Sequence, residues 1–185
     1  MIAAPLKTTP LEFFSFRKAA GTMRSMIRQA SNNPAILGKA IEIVAPVRGG
    51  GYVDEAKALF EFVRDQIRYT SDPHAQDIYR DPLLTLELSA GDCNNKVVLG
   101  CSLAKAVGFP TRMVFVFRKA QPDMEADFPF HVLYQVDVTK HESRESRWIS
   151  CETIPVPSGK VSGPDRYLDF GQQIQSGFPE IVEVD

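Results

Sequence analysis

Three cysteines, Cys93, Cys101 and Cys151, and three histidines, His74, His131 and His141, hold most of the nucleophilic and proton-transfer chemistry open to this chain. Cys93 stands out by position. The segment Ser89-Ala90-Gly91-Asp92-Cys93-Asn94-Asn95-Lys96 leads into an apolar run, which places the cysteine in the first turn of a helix with Asp92 as its cap. Backbone N–H groups at a helix start have no intrahelical partner and the dipole there is positive, so a thiolate is favoured and the thiol should ionise more easily. Such a sulfur can attack a carbonyl, and its own N–H can hold the oxyanion that forms. The competing reading is a buried structural thiol, the usual state of a free cysteine. Cys101, about two turns further along the same helix, reads as core. His74, in a loop, and His141, in a turn, read as solvated side chains. A structural zinc site built from Cys93, Cys101, Cys151 and His131 is disfavoured because no C-x-x-C pair is present. No metal or other cofactor is expected.

The elements that must position these residues can be read from periodicity. Residues 1–50 read as an N-terminal helical arm. Its first 20 residues hold Pro5, Pro10 and the aromatic cluster Phe13, Phe14 and Phe16, and a helical repeat of Met23, Met26, Ile27 and Ala30 comes next. Asn33-Pro34 then opens a helix with an apolar face of Ile36, Leu37, Ala40, Ile41 and Val44, ended by Gly49-Gly50-Gly51. Asp54 is the expected cap of a third helix running to about Ile67, with Ala56, Leu59, Phe60, Val63 and Ile67 on one stripe. Residues 69–90, with Asp72-Pro73 and Asp81-Pro82, read as a surface loop. The helix from Cys93 to Val107 is apolar on most sides and stopped by Gly108 and Pro110, so it belongs at the centre. Strand-like runs occupy 112–118, 130–138 and 147–152, and the tail 155–185 has enough Gly and Pro to wrap the surface. Helices first and strands later make an α+β protein with an antiparallel sheet, and 185 residues suit a single domain with its core at about 55–155.

Charge and hydropathy narrow the partners. With 21 basic and 23 acidic residues, a net charge of −2 and no dense basic block, the chain carries no electrostatic footprint for nucleic acid or an anionic membrane. It has no uninterrupted apolar run of about 18 residues and its first residues do not form a signal peptide. An odd number of cysteines suits a reducing compartment, so a cytoplasmic location is expected. The oligomeric state is left open.

Four segments in order resemble the transglutaminase-like superfamily, a branch of the papain-type cysteine enzymes. They are Phe62-Val63-Arg64-Asp65-Gln66-Ile67-Arg68-Tyr69 before the loop, and Gly91-Asp92-Cys93 opening a helix that ends in Ala106-Val107-Gly108-Phe109-Pro110-Thr111-Arg112. Phe130-His131-Val132-Leu133-Tyr134 and Trp148-Ile149-Ser150-Cys151-Glu152 complete the set. The matches cover about residues 55–155, and their joint order is more specific than any one motif. The resemblance implies a papain-like fold with Cys93 as nucleophile, His131 as its base and Glu152 as the acid orienting the histidine. Glu152 stands where aspartate is commoner, and Asn94 and Asn95 replace acidic residues often found after the cysteine. The implied substrate is a peptide or protein amide. Asn94 and Asp92 beside the nucleophile, with Tyr69 and Trp148 as cleft-bordering aromatics, are the expected substrate contacts; for the two aromatics, core packing is the alternative.

Strand alternation bears on this trio. A hairpin with His131 opposite Glu152 has Val138 facing Glu145 and residues 139–144 as its loop. Trp148, Ser150 and Glu152 then share one face while Cys151 points the other way, which favours Glu152 over Cys151 as the partner of His131. The chemistry implied is thioester formation, with water as acceptor in a peptidase or amidase and an amine in a transglutaminase. The non-enzymatic rival, a binding or assembly module on the same fold, is disfavoured because all three residues are present.

Overall fold

The computed structural model describes residues 9–10, 15–71, 78–124, 126–140, 145–154, 169–172 and 177–184. His74 and His141, Phe13 and Phe14, and most of the expected wrapping tail lie outside the described residues. A short strand β1 (Thr9–Pro10) precedes helix α1 (Phe16–Ser31), which buries Phe16, Ala20, Met23, Ile27 and Ala30 at alternating spacings of three and four, as a helix facing a core must. Helix α1 starts earlier than the expected Met23 repeat because Phe16 is itself an anchor, edge-on to Phe115 and Phe117 at ring distances of 4.8 and 5.2 Å. Helix α2 (Pro34–Val44) opens with Asn33 Oδ1 accepting from Ala35 N at 2.8 Å and Pro34 in the first turn. It buries Ile36, Ala40 and Val44 only. Leu37 and Ile41, expected on the same face, are exposed. Helix α3 (Tyr52–Gln66) is preceded by Gly51 at φ 107°, so glycine rather than Asp54 occupies the cap, and Asp54 sits in the first turn near the positive dipole end.

The stretch read as a loop is more ordered than expected. It holds β2 (Arg68–Tyr69), β3 (Ile78–Tyr79), helix α4 (Pro82–Leu88) and β4 (Ala90–Gly91). Asp81-Pro82, taken as a breaker, is a helix start: Asp81 Oδ1 accepts from Leu83 N at 2.8 Å and Pro82 occupies the first turn. Strand β1 pairs antiparallel with β3, and β2 pairs parallel with β4, tying the end of α3 to the residues just before the cysteine.

Helix α5 (Cys93–Ala106) is buried at every position from Asn95 to Ala104 and packs against α1, α2, α3, α4 and the sheet. The sheet has four antiparallel strands in the order β7-β6-β5-β8, formed by β5 (Thr111–Phe117), β6 (His131–Asp137), β7 (Trp148–Cys151) and β8 (Phe178–Glu183). Part of the tail is thus an edge strand rather than a surface wrap. The α+β architecture, with the cysteine-bearing helix on an antiparallel sheet, is the one expected. Met113, Phe115 and Phe117 of β5 and Val132, Tyr134 and Val136 of β6 join the main core, while Val114, Val116 and Leu133 make a small cluster on the opposite face.

One close approach sets the spacing of helix and sheet. A Cβ at Gly100 would stand 2.5 Å from Tyr134 Cζ, so only glycine lets α5 pass this buried ring. Gly100→Ala is expected to destabilise the protein by about 1–3 kcal/mol through overpacking, against an intrinsic helix preference of about 1 kcal/mol in the other direction. Urea unfolding midpoints check this, and an unchanged or raised midpoint contradicts it.

Candidate active site

The site begins with how Cys93 is placed. Strand β4 runs into the helix through Gly91 and Asp92, and a Cβ at Gly91 would lie 2.8 Å from Asn95 Cβ, so the chain can turn here only because residue 91 lacks a side chain. Asp92 is buried and caps α5, its Oδ1 accepting from Asn95 N at 2.8 Å. The Asn95 carboxamide accepts in turn from Arg80 N at 2.7 Å, holding the segment after β3 against the helix start. Cys93 is therefore the first residue of α5, half-buried, at the positive end of the helix dipole.

His131 opens β6 and Glu152 stands directly after β7. Their side chains meet: His131 Nε2 and Glu152 Oε2 are 2.6 Å apart, both groups are buried, and Ile154 N lies 3.4 Å from Glu152 Oε1. The hairpin register differs from the expected one. Tyr134 faces Cys151 and Asp137 faces Trp148, a slip of two residues that lengthens the connection and leaves Glu152 just past the ladder. Because side chains alternate with a period of two, this slip leaves every residue on its expected face. Cys151 accordingly sits in the main core beside Tyr134, away from His131.

Cys93 and His131 line one small cleft of about 80 Å³, together with Asn94, Tyr79, Phe128 and Phe130 among others. Asn94 is thus at the cleft as expected. Tyr69 and Trp148 are not among its walls: Tyr69 lies in β2, and Trp148, at the far end of β7, stacks beneath the Arg112 guanidinium at 4.1 Å. Asp92 acts through the helix cap. Tyr79, Phe128 and Phe130 were not expected at the cleft: Tyr79 lies in the stretch read as a loop, Phe128 precedes the strand-like run, and Phe130 was read only as the start of the histidine strand. Phe128 and Phe130 are large and exposed beside the mouth, and only their closeness to His131 in sequence hinted at them.

Burial separates the three thiols. It pushes the Cys101 and Cys151 thiols far up, against smaller lowering contributions from Thr111 at the first and Tyr134 at the second. Both are fully buried, whereas Cys93 opens onto the cleft. Among the described residues no group of three or more His, Cys, Asp or Glu side chains is arranged to hold a metal ion, and no helix is long and apolar enough to cross a membrane.

A helix-borne cysteine facing a histidine strand across such a cleft defines a class, and sequence agrees with geometry. The transglutaminase-like superfamily core matches residues 41–153, more than half of the chain, and the protein belongs to that superfamily. Among solved structures, the fold resembles a candidate protease from Parabacteroides distasonis, with a TM-score of 0.61 at 13% identity over 92% of this chain and 30% of that one. A candidate cysteine protease from Cytophaga hutchinsonii aligns with a TM-score of 0.48 at 14% identity, over 82% of this chain and 51% of the other. The chain therefore spans about a third of the first and about half of the second. Comparison with curated proteins finds no match.

The burial pattern predicts selective alkylation. Iodoacetamide near neutral pH should modify Cys93 in the native protein and all three cysteines in urea, as read by peptide mass mapping. Equal native labelling of the three would contradict the assignment.

Proposed function

We propose that the protein is a thiol-dependent acyl-transfer enzyme acting on amide bonds of a peptide or protein, with Cys93, His131 and Glu152 as its catalytic triad. The observation that carries this reading is the buried 2.6 Å contact between His131 and Glu152 at a cleft that also exposes Cys93 on a helix N-terminus. Since Nε2 faces Glu152, Nδ1 is the ring nitrogen that exchanges a proton with the thiol. Cys93 Sγ attacks the amide carbonyl carbon as its proton passes to His131. The tetrahedral oxyanion is held by the Cys93 N–H at the start of α5. Collapse breaks the C–N bond, the imidazolium proton leaves with the amine, and a thioester remains on Cys93. Attack by water or by a second amine then releases the acyl group. The bound protons balance at each step, and Glu152 keeps one imidazole tautomer throughout.

The structural relative from Parabacteroides distasonis, described as a candidate protease, favours a peptide as the acyl donor. The cleft walls are mainly apolar and aromatic, with Asn94 among the few polar groups near the sulfur. A donor with an uncharged side chain next to the scissile carbonyl suits such a lining.

Two measurements test this reading. His131→Ala should slow Cys93 alkylation at neutral pH by an order of magnitude or more, because the thiol loses its proton acceptor. Glu152→Gln should slow it less, since the imidazole stays in place with weaker support. No effect of His131→Ala removes the catalytic reading. With a glutamine peptide, ammonia release that accelerates when a primary amine is added identifies the acceptor as an amine, and release indifferent to the amine identifies it as water.

A further inference from the structure

Two aromatic side chains at the thiol cleft are left partly in water and take no part in the proposed chemistry. Phe128 and Phe130 line the same cavity as Cys93 and His131, yet they are 41% and 39% exposed. Phe115 and Phe117 of β5, by contrast, are buried and packed edge-on to Phe16. Folding accounts for those two rings. A single exposed apolar side chain is ordinary, but two at the mouth of one cleft make a surface that calls for a ligand.

Other residues fix the segment that carries these rings. Between β5 and β6, Lys119 Nζ donates to the two Asp127 carboxylate oxygens at 2.8 and 3.0 Å. Asp123 N donates to Asp127 Oδ2 at 2.9 Å, and Asp127 N donates to Asp123 O at 2.7 Å. Met124 packs against the main core. Phe130 N donates to Val116 O at 3.0 Å, and the Arg118 guanidinium lies over the Phe130 ring at 4.8 Å. A Cβ at Gly177, just before β8, would come within 3.0 Å of Phe130 Cε1, so the chain passes close to the edge of this ring. The aromatic wall is thus placed in advance, with part of its surface open.

The size of the cleft decides where a substrate side chain can go. Its volume of about 80 Å³ is that of roughly two or three liquid waters. This is room for the reacting amide and little else, so a large flanking side chain must lie at the mouth, where Phe128 and Phe130 stand. We propose that Phe128 and Phe130 are specificity-determining residues of the thiol cleft: their exposed rings receive an aliphatic or aromatic side chain of the peptide, next to the amide that Cys93 attacks. This rests on the reading of Cys93 as the nucleophile. Contact with rings already in place removes apolar surface from water on both partners and orders no loop, so large apolar residues are favoured over glycine. The same contact holds the amide beside the sulfur.

The test compares acetyl-phenylalanyl, acetyl-leucyl and acetyl-glycyl chloromethyl ketones, from which a thiolate displaces chloride, with the labelled residue mapped by mass spectrometry. Wild type should label Cys93 about tenfold or more faster with the phenylalanyl and leucyl reagents than with the glycyl one. This ratio is taken within one protein, so any change in the reactivity of the thiol cancels. Phe128→Ala and Phe130→Ala should each lower the ratio several-fold, and the double variant should bring it close to one. Ile41→Ala, which removes an exposed apolar side chain outside the cleft, should leave it in place. Phe128→Lys, a charge at the more exposed position, should lower the ratio as well and serves if the double variant does not fold. A wild-type ratio near one overturns the proposal without any variant, and so does a ratio that survives in Phe128→Lys or in the folded double variant. Wild type in which neither these reagents nor iodoacetamide label Cys93 selectively removes the nucleophile reading and the subsite with it. Selective labelling of Cys93 at a ratio near one removes the subsite alone.

Discussion

A helix buried along its whole length can offer chemistry only at its ends. Helix α5 is in that position: its residues from Asn95 to Ala104 are all buried, and only its first and last turns approach solvent. The rest of the fold is arranged around this constraint. Helices α1 to α4 cover its sides, the sheet closes the remaining face, and the opening is at the N-terminal end where Cys93 stands. This is also the end where the helix dipole favours a negative sulfur. The helix buried along most of its length therefore also places Cys93, and changes in its packing, as at Gly100, act on both at once.

The sheet supplies the second requirement by alternation. Cys151 and Glu152 are neighbours in sequence, yet one is held in the core beside Tyr134 and the other meets His131. A strand separates adjacent side chains in this way; His131 and Glu152 come from β6 and the end of β7, whereas Cys93 comes from a helix. The two-residue register slip between β6 and β7 is tolerated for the same reason. A slip of one residue would have put Glu152 in the core and Cys151 at the histidine.

Much of this was legible in the sequence because it depended on local rules. The apolar run from Val97 with Gly108 and Pro110 behind it specified a central helix, and β-branched and aromatic residues marked β5, β6 and β7. The parity of His131, Cys151 and Glu152 needed only strand pleating. What was missed depended on tertiary context. Asp81-Pro82 can either break a chain or cap a helix, and the choice is settled by the residues after it and the surface on which they pack. Gly51 displaced Asp54 as a cap because only a glycine readily takes the positive φ found there. The exposure of Leu37 and Ile41 reflects how wide a face α1, α3 and α5 leave for α2, a quantity that periodicity does not contain. The edge strand β8 lay in a segment whose glycines and prolines hid its alternating exposure.

The distribution of buried polar side chains separates residues that build the fold from residues that have another reason to be inside. Asp137 is buried because it accepts from Thr139 N, Thr139 Oγ1 and Arg147 N, which shapes the turn between β6 and β7. Ser102 bonds to the Val98 carbonyl one turn back, and Thr85 to the Asp81 carbonyl. Each of these has a local partner, and local geometry explains it. His131 and Glu152 find each other across two strands instead, and Lys96 reaches carbonyls some thirty positions away in the chain. Long-range polar contacts in a core cost desolvation that apolar residues of similar size would avoid. His131 and Glu152 meet beside the cleft that exposes Cys93 at the open end of α5, and a buried pair of this kind is a cost that folding alone does not demand.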